Sequence, residues 1–535
     1  MTDRDAPGPL DDSQEFEDPS PIDEAEPPRE HRPAPEELAL EAEAEAEAAA
    51  AADAEGDIAS DVTLTDREAA ANEAAEARRG VERRDVVRWS ARAVAGLAAA
   101  ALGFGAIVAA GALPPEVRTE ATAPSTEVQP ASPLQSRVCA GPALRVGTAD
   151  GEDALAIAAI GDPELAIGTL GGEIDQSQLT VRSAEDVAGG LSVTQRGEAS
   201  TLSAAQSMIL DLEAARGLAA SECSETSLDQ WLVGGSTRTG RQSVLTVANA
   251  SDVSASVDVT VYGPDGAIES VGSTGVAIAP GSEEVLDIAA IAPGVSDAVV
   301  HVTSVGAPVS AHLQQITTRG LERGGFDIID PVTALTTTVL PGVEITQPSG
   351  LEAQPDYDDA QPVLRLLSPT GGTLRVVFQA ADGTTIESEG ELEAGRVTDF
   401  PLEEIPPGTH AIRVESDAPV VAGARVVAAS GNGLDFDWVA GGQPRSGSSA
   451  IAVANGPDPV LHLVSTSDED QQVTVDGETL TLPANGTLAQ PVEPGRVEVT
   501  GEAVVLALAY RSESRVGGYT ISPQGPAASG VRVLH

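Results

Sequence analysis

The chain has 535 residues, of which 83 are acidic and 30 basic, giving a net charge of −53; at the ~100–200 residues usual for a domain it is expected to fold around several cores. Every basic residue is arginine, and so acidic a surface repels polyanions, which excludes nucleic acid and anionic lipid surfaces as partners. Aromatic residues make up only 2%, too few for an extended stacking platform.

Residues 1–88 hold 27 acidic residues and nine arginines, with early proline clusters followed by the tract ELALEAEAEAEAAAAADAEG. Such a segment has little apolar surface to bury and repels itself, so a disordered acidic tail is expected. It reads as a solvated spacer or as a docking tail for a basic partner. Residues 93–113 form a run of 21 uncharged residues, AVAGLAAAALGFGAIVAAGAL. As a helix this rises about 31 Å and just crosses a hydrocarbon layer of ~30 Å. Arg78, Arg79, Arg83, Arg84, Arg88 and Arg92 precede it, whereas the next arginine is Arg118. The positive-inside rule therefore expects a single-pass type II anchor over 89–113 in the cell membrane, with a cytoplasmic N-terminus and the rest extracytoplasmic. A leader cleaved at Ala110-Gly111-Ala112 and a buried core helix are the competing readings. Residues 114–137, rich in Pro, Ser, Thr and Glu, read as an extended stalk.

From Val138 onward, short alternating runs of Val, Ile, Leu and Thr are divided by Gly, Pro, Asp and Asn, as in SVLTVANA, ASVDVTVYGPDG and TLRVVFQAADG. This predicts strands joined by tight hairpins. The stretch around 203–216 is the longest candidate for an amphipathic helix. The expected fold is all-β, built of tandem antiparallel β-sandwich (Ig-like) modules, with a four-bladed propeller as the alternative. Two repeats support tandem modules. A long one relates ARGLAASECSETSLDQW, ending at Trp231, to ARVVAASGNGLDFDW, ending at Trp438; each Trp is followed by a Gly pair and a strand ending Val-Ala-Asn. A shorter one has closing segments at 307–329, 418–438 and 502–521, with a diverged copy at 209–231. The modules are accordingly placed at 138–230, 231–350, 351–437 and 438–535.

Cys139 and Cys223 are the only cysteines, and outside the membrane they are expected to form a disulfide, stabilising by up to ~4.5 kcal/mol through its loop. No HExxH, Walker, GxSxG or CxxC pattern occurs, so no catalytic residue, cofactor or metal site is expected. The histidines His301 and His312 read as strand residues. The acidic clusters Asp356, Asp358, Asp359 and Asp468, Glu469, Asp470 read as solvated turns, lacking an ordered calcium loop. Asp435, Asp437 and Trp438 form an acid and aromatic group suited to a sugar, although the recurrence of Trp at 231 favours packing.

RGLAASEC at 216–223, WLVGGSTRTGR at 231–241 followed by VLTVANAS, and GGFDIIDP, together with the layout of tail, span and β-region, resemble an uncharacterised actinobacterial envelope family, domain of unknown function 5719. The resemblance covers about 138–535 and implies cell-wall or glycan-associated work beside envelope glycosyltransferases, with no catalytic residues to carry over. The expected function is that of a non-catalytic interaction or scaffolding component of the cell envelope. The alternative is a glycan-binding accessory subunit of a membrane glycosyltransferase, with sugar contacts at Trp231 and Trp438.

Overall fold

The protein is described from a computed structural model, over residues 125–128, 135–147, 153, 155–184, 187–196, 201–212, 215–270, 272–320, 322–430, 433–523 and 531–534. The acidic tail and the apolar run 93–113 lie outside the described residues, among which no helix is long and apolar enough to cross a membrane. Helix among them is confined to the single turn Ile288–Ile291 and two 3-10 turns; the remainder is strand and loop.

Alternation explains the outer strands. In Ala255–Gly263 the residues alternate buried and exposed, so one face meets a core and the other meets solvent. Ser310–Arg319 is instead buried on both faces over eight residues, although it carries His312, Gln314 and Gln315. One face, with Ala311 and Leu313, packs inside its module, and on the other Gln314 accepts from Leu144 N and donates to Pro142 O of the first module.

Three modules share one topology. In each, a first strand (Asp229–Val233, Leu335–Ile345, Arg445–Val453) pairs with the early part of a long path, which also pairs with Ala255–Gly263, Gly372–Ala380 or Gln471–Val475. The late part of that path pairs on one side with a second strand (Arg241–Asn249, Val363–Leu367, Val460–Ser465) and on the other with a closing strand (Glu322–Ile329, Gly433–Ala440, Arg515–Ile521). The path is continuous in Gly408–Ser430 and Gly495–Ser512 but split into Val299–Val305 and Ser310–Arg319 in the second module. There Gly306 takes a φ of 95° and Pro308 offers no N–H to a ladder.

The first module keeps only a small core of its own, Val193, Leu202 and Ala204 around the disulfide, and its sheets are divided between its neighbours. Its strands Glu173–Val181, Ala188–Arg196 and Gln135–Val138 extend the sheet of the second module through a parallel pairing of Ser282 with Thr180. Its other sheet, Glu164–Thr169, Leu202–Asp211 and Arg216–Glu222, packs Ala205, Leu218 and Ala220 into the core of the fourth module. The Cys139–Cys223 disulfide joins these two parts. The four closing strands then pack in a closed ring: Arg216–Glu222 on Glu322–Ile329, that on Gly433–Ala440, that on Arg515–Ile521, and the last back on Arg216–Glu222.

Several sequence expectations are corrected by this topology. Most of the stretch 203–216 belongs to strand Leu202–Asp211, because the ladder on both its sides outweighs the helix preference of alanine. The stalk expected over 114–137 is not extended chain in its described stretches: Ser125–Val128 pairs with Val531–Leu534, and Gln135–Val138 is a sheet strand in which Arg137 is buried. The third module opens at Leu335 and the fourth at Arg445. The repeat relating Trp231 to Trp438 does not relate equivalent places, because Trp231 lies on a first strand and Trp438 on a closing strand. The shorter repeat is the structural one, and its earliest copy spans 202–222.

Modules two and three are clasped by Arg365, a fully buried residue of Val363–Leu367. It donates to Gly235 O and Ala298 O (both 3.0 Å), to Asp297 Oδ1 (2.8 Å) and to both oxygens of Asp399 (2.7 and 2.8 Å). Its guanidinium also lies 4.6 Å from the Trp438 ring centroid. Arg365→Ala strips a buried ion network of its cation and is expected to cost about 3–5 kcal/mol in urea denaturation. Arg365→Lys should recover less than half of that, because an ammonium cannot make the planar fork; full recovery by lysine would refute the clasp.

Candidate functional site

The centre of the ring is built from small residues and buried acids. A Cβ on Gly217 would lie 2.5 Å from Asp435 Oδ1 and 2.6 Å from Phe326 N, and one on Gly517 would lie 2.9 Å from Leu218 O. Glycine is required at these two places so that neighbouring closing strands can approach. Into the gap projects Asp435, whose Oδ2 accepts from the amides of Leu218 (3.0 Å) and Val516 (3.2 Å) while Oδ1 accepts from Phe326 (3.2 Å). One carboxylate thus receives a hydrogen bond from each of the other three closing strands.

Further carboxylates continue the pattern. Asp327 Oδ2 accepts from Trp438 N (2.9 Å) and its Oδ1 from Ile328 N (2.8 Å). Asp330 Oδ2 accepts from Glu222 N, and Glu222 Oε2 from Ser522 N, both at 2.8 Å. Phe326-Asp327 and Phe436-Asp437 occupy matching places in two closing strands, so the repeat itself brings Asp327 and Asp437 together. Burial pushes the Asp435 carboxyl up to about 8 and that of Asp437 up to about 7. Burial, then the Asp437 charge, holds Asp327 well above the ordinary carboxylate range, the expected behaviour of two buried carboxyls competing for one proton. Burial also raises Asp330 well above that range and raises Glu222 despite the nearby Arg137 guanidinium.

A pocket of about 340 Å³ opens at one end of the ring, lined by residues at or just past the ends of all four closing strands, 224–227, 330–333, 440–443 and Thr520, Ser522 and Pro523, together with Asp229 and Gln230. Its walls carry Thr226, Thr333 and Gln443, and Asp330 connects it to the buried acids. Glu225 forms an ion pair with the buried Arg137. Asp229 accepts from Trp231 Nε1 (3.1 Å) and faces His301 Nε2 (3.2 Å). Among the described residues no group of three or more His, Cys, Asp or Glu is arranged to hold a metal ion.

Trp231 and Trp438 are both buried, at 4% exposure. Trp231 stacks on the His301 ring at 3.7 Å and bridges to Val332 through both its backbone groups. Trp438 donates its Nε1 to Gln315 Oε1 at 3.1 Å. Neither ring therefore offers a face to a sugar, and Asp435 and Asp437 are buried beside the ring axis rather than in a groove with Trp438. His301 and His312 sit on paired strands. In the first acidic cluster, Asp359 pairs with Arg241 and Arg319; in the second, Asp470 caps Ala484 N at 2.9 Å.

Sequence reasoning missed Asp327, Asp330 and Glu222. Their signal was present as acids inside otherwise apolar closing strands, FDIID and AASEC, where a solvated carboxylate has no place.

A model of a family of unknown function, DUF5719, matches residues 177–488 of the chain. No curated protein and no solved structure matches it.

Proposed function

The chain belongs to the family of unknown function DUF5719, and from that premise we propose that it is a membrane-anchored, extracytoplasmic component of the cell envelope that binds or scaffolds a partner without catalysing a reaction. The observation that carries this reading is the convergence of four closing strands, held by one carboxylate, on a single preformed polar pocket. A receptacle built from the ends of rigid strands loses little entropy on binding. In this reading the segment 89–113 is the anchor, the acidic tail lies in the cytoplasm, and the ring stands outside. The second reading, a glycan-binding accessory subunit of an envelope glycosyltransferase, is favoured by the hydroxyl and amide groups of the pocket wall. Its contacts would be those groups, since Trp231 and Trp438 are buried.

Co-purification from crosslinked native membranes tests the proposal, comparing the full chain, a version lacking residues 1–88, and Thr333→Trp, which fills the mouth from an exposed position. Partners should survive loss of the tail and fall at least tenfold with Thr333→Trp. If partners are lost with the tail and kept with the blocked pocket, the ring is not the interacting part.

A further inference from the structure

The third module leaves an apolar gap where its neighbours are filled. Strand Thr385–Leu392 pairs with Gly372–Ala380 and with no other strand, so it is a free edge of its sandwich. Its register sets Ile386, Ser388 and Gly390 opposite the buried Phe378, Val376 and Leu374, and directly opposed residues share a face. The inward side of this edge therefore reads Ile, Ser, Gly, Leu. The corresponding edges turn Ile268, Val276 and Ile278 into the core of the second module, and Leu480 and Leu482 into that of the fourth. In the third module the two small residues uncover a pocket of about 370 Å³, walled by Leu374, Val376 and Phe378 on one side and by Phe400, Leu402 and Ile405 across the sandwich.

Nothing in the fold calls for glycine at position 390. Gly390 does not take a left-handed φ, and a Cβ there would touch only Leu374 Cδ2 at 3.7 Å and Phe400 Cζ at 4.0 Å, ordinary packing distances. Glycine weakens a strand interior, and where the backbone does not need it, it marks a place that another group approaches. The outward side of the edge and the pocket mouth decide the charge of that group. Glu387, Glu389 and Glu391 alternate along the strand and Glu404 lies at the mouth, all of them exposed. Arg375 takes up Glu387; among the described residues Glu389, Glu391 and Glu404 have no ion pair. A second copy of this chain, at −53, would set like charges against one another, whereas a basic segment is drawn to this edge.

We propose that Thr385–Leu392 is a docking edge for a strand of a partner protein in which apolar residues alternate with arginine or lysine. A free edge offers a row of backbone N–H and C=O groups, and a strand added to it turns alternate side chains inward and outward. An inward apolar side chain enters the pocket beside Ser388 and Gly390, and the outward basic ones face Glu389 and Glu391. This surface shares no residue with the axial pocket, so the proposal goes beyond the receptor reading of the ring and stands apart from it.

Fluorescence anisotropy tests this on the full-length chain in phosphatidylcholine nanodiscs, where no detergent competes for the pocket, with a labelled peptide Arg-Val-Arg-Leu-Arg-Val-Arg. The peptide should bind at least tenfold more tightly than one of the same composition with its arginines grouped, than one with glutamate in place of arginine, and than one N-methylated at every amide, which cannot pair. Gly390→Leu fills the pocket from within and should weaken the alternating peptide at least tenfold. Joint reversal of two exposed charges, Glu389→Arg with Glu391→Arg, should weaken it as much and strengthen the glutamate peptide. Should Gly390→Leu fail to fold, the charge reversal carries the test, since both side chains lie on the surface. Equal binding of the alternating and grouped peptides overturns the proposal, because attraction to an acidic surface alone would then suffice. Undiminished binding of the N-methylated peptide, or binding unaltered by Gly390→Leu or by the charge reversal, overturns it as well. None of these results bears on the axial pocket, which Thr333→Trp tests separately.

Discussion

Asp435→Ala is expected to destabilise the protein by about 4 kcal/mol, and to do so by separating modules rather than by opening one core. Its carboxylate accepts from Leu218, Phe326 and Val516, which lie on three different closing strands. Removing it leaves three buried amides unsatisfied, at ~1–3 kcal/mol each before relaxation. Asp435→Asn should cost about 1–2 kcal/mol, since the amide keeps one acceptor oxygen but sets an N–H₂ against a backbone N–H. Urea denaturation followed by far-UV circular dichroism and tryptophan fluorescence gives the comparison. Coincident transitions in the wild type and separated ones in the alanine variant are expected. A loss below about 1 kcal/mol would show that the ring is held by packing alone.

Stability is expected to fall as pH rises from about 5 to about 8.5. In the folded chain burial raises Asp435 to about 8 and Asp437 and Glu283 to about 7, and it raises Asp327, Asp330 and Glu222 as well. The unfolded values of these groups lie near 4. Between the two limits the folded state binds more protons than the unfolded one, so their contribution is fully present below the unfolded value and is lost as pH climbs through the folded values. Each group contributes at most about 1.4 kcal/mol per pH unit inside that window. His312 and His462, both depressed to about 4 by burial, act in the opposite sense. Their contribution is present above the unfolded value of ~6.5 and is lost as pH falls toward 4. Six raised acids outweigh two depressed histidines throughout this window, which places the stability maximum near the unfolded carboxylate values, at about pH 4–5, and a decline of about 3 kcal/mol or more by pH 8.5. Asp327→Asn keeps acceptor capacity for Trp438 N while removing one of the paired acids, and should flatten the alkaline slope. Urea midpoints that stay constant from pH 5.5 to 8.5 would contradict the burial of these carboxyls in the folded state.

Much of the strand content was legible because alternation reports a half-buried face directly. ASVDVTVYG could be read as a strand from its pattern, and Ala255–Gly263 is one. SAAQSMIL was not legible in the same way, because a strand buried on both sides has no alternation to display, and its alanines suggest a helix. The match between Trp231 and Trp438 misled for a related reason. Apolar strands followed by Gly-Gly turns look alike wherever they occur in a module, and only pairing partners distinguish a first strand from a closing one.

The sequence by itself determined the all-β class, the modular repetition of the closing segments and the pairing available to two cysteines, since each follows from local pattern or from a count. It also set Asp435 and Asp437 apart as unusual acids. Tertiary structure alone decided what they do. Asp435 is a staple because Leu218, Phe326 and Val516 arrive from 217, 109 and 81 residues away along the chain. The ring closes only when the first module divides itself between the second and the fourth. A pocket assembled from the ends of four strands, each in a different module, leaves no contiguous motif for sequence to carry, because its chemistry comes from convergence rather than from spacing.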